Sequence, residues 1–397
     1  MRLREKLERM EGSLRKMGPA SRSVPIEAVV RGKVKETDHG SFYLVETEYE
    51  GDYCYGGHSV RCALSLDTDG VCVAGKDDRL DSFDARSCTF LDVETTGLAG
   101  GSGTYPFLIG LGYYRRSSFV VSQLFMRDYD EEGAVLSFLS ELFAPRRYVV
   151  TYNGKSFDMP LIETRMTING MDRIADETYN LDLLHAARRI WGRTLPDCRL
   201  KTLEERMLGL YRRDDIPGEE IPERYFEYIR SGDASGLRVV FEHNRNDVLM
   251  LPVLLGHITS AIRDADSDAL EPLDLYSIGR VYDNMKRRDE TLPFYTRALR
   301  RLRGSERTMV ACQLGIVYKR LNMWEEAVST WRGLLGKGVY QPYEELAKYY
   351  EHVSKEYARA KEIVGEALQT FEGTGHDKNL KYRLARIERK LSLRGRT

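Results

Sequence analysis

At 397 residues the chain is longer than one hydrophobic core usually organises, so two or more domains are expected. A net charge of -1 excludes a uniformly basic nucleic-acid coat, and the absence of any run of eighteen apolar residues excludes a membrane-spanning helix. Six cysteines, Cys54, Cys62, Cys72, Cys88, Cys198 and Cys312, lie scattered without CxxC spacing, which argues against a disulfide framework and fits a reducing cytoplasm.

Residues 1–17 read as a helix of alternating charge, without the apolar core of a signal peptide, so a cytoplasmic protein is expected. Residues 24–75 read as short strands (PIEAVVRGKV, SFYLVETEY) broken by turns, and 1–84 as a whole as an N-terminal helix and short-strand segment. Within it, Cys54, His58 and Cys62 come nearest to a zinc pattern, although ordinary turn and strand residues are the favoured reading. From Ser87 the pattern becomes strand CTFLDVE, glycine-rich turn LAGGSG, strand TYPFLIGLGYY and strand FVVSQLFM, three strands in an antiparallel meander. DEEGAVLSFLSELF follows with helical spacing, RYVVTY is a strand, and MPLIETRMTI is a helix. Residues 180–260 read mainly helical, and the sum is a mixed α/β sheet flanked by helices over 85–262.

Beyond about residue 270 the strands stop. IGRVYDNMKRRDETLPFYTRAL and LGIVYKRLNMWEEAVSTWRGLL place Gly279, Tyr282 and Tyr295 in register with Gly315, Tyr318 and Trp331, 36 residues on. A third unit beginning at Leu346 supplies Ala347 and Tyr350, so 270–397 resembles a tetratricopeptide repeat array, all α. Charge is uneven here: Lys286, Arg287, Arg288, Arg297, Arg300, Arg301 and Arg303 cluster, as do Lys378, Lys381, Arg383, Arg386, Arg389, Lys390, Arg394 and Arg396 in the tail. Such clusters suit phosphates or a solvated helix face equally well.

Chemistry concentrates in three places. FLDVETTGL puts Asp92 and Glu94 on one face of a strand where their charges repel, an arrangement that calls for a cation. Glycosidases, metal-dependent phosphoryl-transfer enzymes and structural ion pairs all use such a pair, and D-x-E alone does not choose among them. VVTYNGKSFDMPLI runs a strand into Asn153, Phe157 and Asp158 at the start of a helix, and FEHNRNDVLML sets His243 and Asp247 one helical turn apart. Singly, Asp158 reads as a helix cap and the His/Asp pair as a surface pair. Their order along the chain is what carries information.

That order resembles the DEDD superfamily of exonucleases on the ribonuclease H fold, and more narrowly the YprB-like ribonuclease H domain, over roughly residues 85–260. NLDLLHAARRIW, CRLKTLE and DIPGEEIPERY are similar to that family's connecting segments, and a tetratricopeptide tail accompanies the same family. His243 stands four residues before Asp247, where the histidine subgroup has five and the tyrosine subgroup places its tyrosine. The resemblance implies two divalent cations, Mg2+ or Mn2+, with Asp92 bridging both, Glu94 and Asp247 completing one site, Asp158 serving the other, and His243 as general base. It also implies hydrolysis from a 3' end, DNA before RNA as substrate, a role in repair and a helicase or other protein partner.

Smaller expectations attach to the neighbours. Thr95, Asn153, Lys155 and Phe157 are expected to brace the motifs or touch the terminal nucleotide, and Arg199 and Lys201 to meet phosphates. Gly100, Gly101 and Gly103 are expected to form a plain hairpin turn, Asp182 and His185 to cap or be buried rather than ligate, and Trp191, Trp324 and Trp331 to pack cores. The rival readings are a ribonuclease of the same fold and a tetratricopeptide scaffold carrying a silent nuclease domain.

Overall fold

The computed structural model describes residues 23–97, 103–174, 178–212 and 214–394. The helix expected over 1–17 and the turn glycines Gly100 and Gly101 lie outside the described residues. By internal packing the chain divides into one unit of Met1–Ala186 with Cys198–Thr259 and a second of Ala187–Asp197 with Ser260–Thr397.

The first unit is built on a sheet whose strands are β1 (Lys33–Thr37), β2 (Gly40–Tyr49), β5 (Cys88–Thr95), β6 (Pro106–Arg115), β7 (Ser118–Phe125), β8 (Tyr148–Thr151) and β9 (Tyr179–Asp182). A separate ribbon pairs β3 (Cys54–Tyr55) with β4 (His58–Ser59). The order across the main sheet is β1-β2-β7-β6-β5-β8-β9. The meander β5-β6-β7 is antiparallel, as are β2 on β7 and β1 on β2, whereas β8 and β9 run parallel to β5. Residues 33–49, grouped by sequence with an N-terminal segment, therefore continue the same sheet. The buried run Phe42, Tyr43, Leu44 and Val45 explains why β2 sits beside β7 rather than standing apart.

The longer helices in this part of the chain are α1 (Thr68–Gly75), α2 (Glu132–Phe143), α3 (Asp158–Ile168), α4 (Leu183–Trp191), α5 (Ile221–Ser231) and α6 (Arg238–Arg263), with single turns at Ile26–Val29 and Leu200–Leu203; the first of these and α1 fall where the sequence predicts short strands. Two devices fix those that matter for the site. Arg165 of α3 reaches Glu132 of α2 at 2.5 Å with both side chains buried, and Asn169 donates to the same carboxylate at 2.9 Å, which locks the helix that begins at Asp158. Gly110 and Gly112 share one face of β6, where a Cβ would stand 2.3 Å from Asn244 Oδ1 and 2.7 Å from Val248 Cγ1. Two glycines two apart thus open a seat for two α6 residues four apart, the strand and helix periods meeting at one place.

The second unit is helical: α7 (Pro272–Asn284), α8 (Arg288–Arg301), α9 (Gly304–Arg320), α10 (Trp324–Arg332), α11 (Tyr340–Lys348), α12 (Tyr357–Thr370) and α13 (Asp377–Arg394). Gly279 lies against the Tyr295 ring, where a Cβ would come within 2.5 Å, and Gly315 lies against Trp331, where it would come within 2.3 Å. The small-against-aromatic pairing read from the sequence is therefore physical contact between consecutive helices. Trp191 and Trp331 are buried, while Trp324 is partly exposed beside Tyr349. No helix among the described residues is long and apolar enough to cross a membrane.

Candidate active site

β5 carries an apolar run, CTFL, into the sheet centre and then emerges, leaving Asp92 and Glu94 on the same face and partly exposed. Its pairing with β6 slips between Glu94 and Thr95. Thr95 closes the turn that follows, its hydroxyl donating to the Gly97 carbonyl at 2.9 Å, and Thr96 and Tyr105 bond across it.

The second motif is held by a residue from the neighbouring strand. Asp182, at the end of β9, accepts the backbone N–H groups of Asn153 at 2.8 Å and Leu184 at 3.0 Å on one oxygen, and that of Lys155 at 3.2 Å on the other. Asn153 adopts the left-handed conformation with φ 67°, and a Cβ on Gly154 would stand 2.7 Å from Asp158 Oδ2. Asp182 is thus a turn clamp, which matches the capping role expected of it, and His185 points to solvent. The clamp delivers Asp158 to the first turn of α3 beside Phe157, a residue 54% exposed.

The third motif comes from α6. Asn244, fully buried, donates through Nδ2 to Asp92 Oδ2 at 2.8 Å and to the Asp92 carbonyl at 3.2 Å, while its Oδ1 accepts from Gln123 Nε2 at 2.9 Å. One residue to the N-terminal side, His243 places Nδ1 2.8 Å from Asp215 Oδ1 and Nε2 3.7 Å from Asp247 Oδ2. Asp247 Oδ1 meets Arg212 Nη1 at 2.5 Å. Arg212 is in turn held by Glu204 at 2.6 Å, which also accepts the Tyr55 hydroxyl at 2.7 Å.

Asp92, Glu94, Asp158, Asp247 and His243 therefore act on one another as charges. Burial, reinforced by Asp247, pushes the Asp92 carboxyl up to about 7, with His243, Asn244 and Arg212 pulling it back. Glu94 rises well above the carboxylate range through burial and then Asp92, and Asp158 rises through burial and then Asp92 and Asp182. For His243, burial opposes the charged form, but the Asp215 hydrogen bond and the charges of Asp247 and Glu94 overcome it and carry its pKa up to about 9. Acidic groups that raise one another's pKa form a site short of positive charge. All-oxygen donors of this kind fit Mg2+ or Mn2+ better than zinc. Among the described residues, no three His, Cys, Asp or Glu side chains are already gathered closely enough to enclose an ion.

Other residues singled out in the sequence fall elsewhere. Lys155 is exposed, and Lys201, also exposed, contributes to the field at Asp215. Cys62 donates its thiol to the Pro252 carbonyl and His58 pairs with His257 at 3.1 Å, so the Cys/His/Cys pattern forms no ligand set. In the second unit the basic clusters are partly spent internally. Arg297 pairs with Asp268 at 2.6 Å, Arg288 with Asp283 at 3.6 Å and Arg287 with Glu290 at 2.8 Å, while Arg301 donates to the Leu270 carbonyl. Arg383, Arg386 and Lys390 all converge on Glu351, whose side chain is completely buried.

Asn244, Gln123, Gly110, Arg212, Asp215, Glu204 and Tyr55 were not read from the sequence as parts of the site. The one available signal was the GLG of β6, since glycine inside a strand marks close approach of another element.

A family model for the RNase_H superfamily matches residues 89–259. The chain is 33% identical over 319 residues to the protein described as "Uncharacterized protein YprB" of Bacillus subtilis (strain 168), a match covering 78% of this chain and 76% of that protein.

Proposed function

The chain belongs to the family of YprB and carries an RNase_H superfamily domain over residues 89–259, and from that premise we propose that it is a metal-dependent exonuclease that hydrolyses phosphodiester bonds from the 3' end, with DNA as the preferred substrate. The observation that carries this reading is that Asp92, Glu94, Asp158, Asp247 and His243 lie near enough to shift one another's protonation, forming one acidic cluster at the rim of the sheet. Asp92, Glu94, Asp158 and Asp247 would hold Mg2+ or Mn2+. When bound, such ions activate water and stabilise the leaving oxygen.

The chain's own residues supply the rest. His243 takes the proton of the attacking water. Against burial, the Asp215 hydrogen bond and the charges of Asp247 and Glu94 raise its pKa, and cations beside Asp247 and Glu94 would favour the neutral ring that acts as the base. Phe157 offers an exposed ring to the terminal base. Asn153 and Lys155, on the turn clamped by Asp182, would contact the terminal sugar and phosphate, and Thr95 would shape the rim of β5.

The second unit is, in this reading, a tetratricopeptide-like array that docks a protein partner, the helicase that the family resemblance implies being one such partner. Its contacts Gly279 to Tyr295 and Gly315 to Trp331, 36 residues apart, support the repeat. The internal pairing of its arginines favours protein docking over a phosphate track.

Matched DNA and RNA oligonucleotides labelled at either end and incubated with Mg2+, Mn2+ or EDTA test the proposal. Release of mononucleotides from the 3' end of DNA, dependent on metal, is expected. Preferential digestion of RNA would make it a ribonuclease of the same fold, and no release from any substrate would favour the scaffold reading.

A further inference from the structure

We infer that Asp215 is a positioning residue for His243, fixing which ring nitrogen faces the reacting water; this deepens the nuclease reading above and rests on it. Asp215 lies outside the three acidic motifs, in the stretch YRRDDIPG, 28 residues before the histidine. Its Oδ1 stands 2.8 Å from His243 Nδ1, and the two side chains are only 11% and 16% exposed. A carboxylate at that distance requires an N–H on Nδ1, because the alternative tautomer would aim a lone pair at an oxygen already rich in electrons. The neutral ring is then left with its lone pair on Nε2, the nitrogen that faces Asp247 at 3.7 Å.

Asp215 is itself held. Arg212, three residues earlier, stands 3.7 Å from Asp215 Oδ2 through the same Nη1 that meets Asp247 at 2.5 Å. Glu204 fixes the other end of the guanidinium at 2.6 Å, and the Tyr55 hydroxyl fixes Glu204 at 2.7 Å. The R-x-x-D pair thus grips both functional residues of the H-x3-D pair, one partner each. A carboxylate serving only to brace the loop would not need to address the histidine nitrogen pointing away from Asp247.

The test is a double-mutant cycle on the full chain, with 15N spectra of the histidine ring. Asp215→Ala should lower kcat by about 10- to 1,000-fold, no more than the loss of the base itself, with KM unchanged, and should cost nothing further in a His243→Ala background. Asp215→Asn, equal in size, carries the same comparison if the alanine variant does not fold. In spectra recorded with Mg2+ and at a pH where the ring is neutral, the His243 signal, assigned by its loss in His243→Ala, should report a proton on Nδ1 rather than Nε2 in the wild type and lose that preference in either Asp215 variant. An equal rate loss with and without His243, or an unchanged tautomer, would overturn the inference while leaving the nuclease reading intact. A wild type inactive on every substrate, with the Nδ1 proton still set by Asp215, would instead overturn the nuclease reading.

Discussion

Asn244 joins the third motif to the first: its amide donates to the Asp92 carboxylate at 2.8 Å and to the Asp92 backbone at 3.2 Å, through space that Gly110 leaves by having no side chain. Asp92 and Gly110 are paired across β5 and β6, so helix α6 is registered on the strand by the residue that the chemistry needs most. Gly110→Ala would drive a methyl group to within 2.3 Å of Asn244 Oδ1. It should destabilise the domain by about 1–3 kcal/mol and reduce activity by displacing α6, read as a lower denaturation midpoint with a lower kcat.

Arg212 is buried between Glu204 and Asp247, with its side chain 6% exposed. Arg212→Gln leaves two poorly solvated carboxylates without their cation and should cost about 3–5 kcal/mol. Divalent cation should restore part of that loss, because a metal at Asp247 replaces the missing charge. Urea melts with Mn2+ and with EDTA measure both effects.

Much of this domain was legible in the sequence because its signals are local. An apolar run placed β5, helical spacing placed α2, an apolar run after Asn246 placed α6, and the order D-x-E, N-x4-D, H-x3-D placed the cluster residues on elements that approach one another. What escaped notice joins distant positions. Gln123 meets Asn244 across 121 residues and Tyr55 meets Glu204 across 149, and no spacing rule connects such pairs. β2 is legible as a strand, but its place beside β7 depends on tertiary pairing; the strand expected at PIEAVVRGKV is instead a short helix at Ile26–Val29 with β1 beginning only at Lys33, and Thr68–Gly75 is helical as well. In the second unit, the sequence showed arginines in a row; it did not show that acidic residues from other helices would neutralise several of them.

Glu351 illustrates that last point. Burial would raise its pKa, but Arg386 and Lys390 pull it down from the ordinary 4.5 to about 2. A carboxylate whose pKa is depressed on folding stabilises the protein above its unfolded value, and the contribution fades as pH falls toward the folded value. The helical unit should therefore lose stability between about pH 4.5 and 2, and Glu351→Gln should flatten that part of the profile. Thermal melts of both proteins across this range would show a parallel decline instead if the cluster contributed nothing.

The glycine seats of the second unit make a separate prediction. Gly315→Ala would place a methyl group 2.3 Å from Trp331 Nε1 and should cost about 1–3 kcal/mol. Gly365→Ala, with nothing near its added Cβ, should be neutral or slightly stabilising in its helix. Comparing the two denaturation midpoints separates steric exclusion from backbone entropy.

The most direct measurement of the central claim compares wild type, Asp92→Ala and His243→Ala on one 5'-labelled DNA strand with Mn2+, while following Mn2+ binding by calorimetry. The account predicts cleavage by the wild type, loss of both binding and cleavage in Asp92→Ala, and a rate about 100- to 10,000-fold lower with binding retained in His243→Ala. Cleavage by Asp92→Ala at the wild-type rate would contradict it.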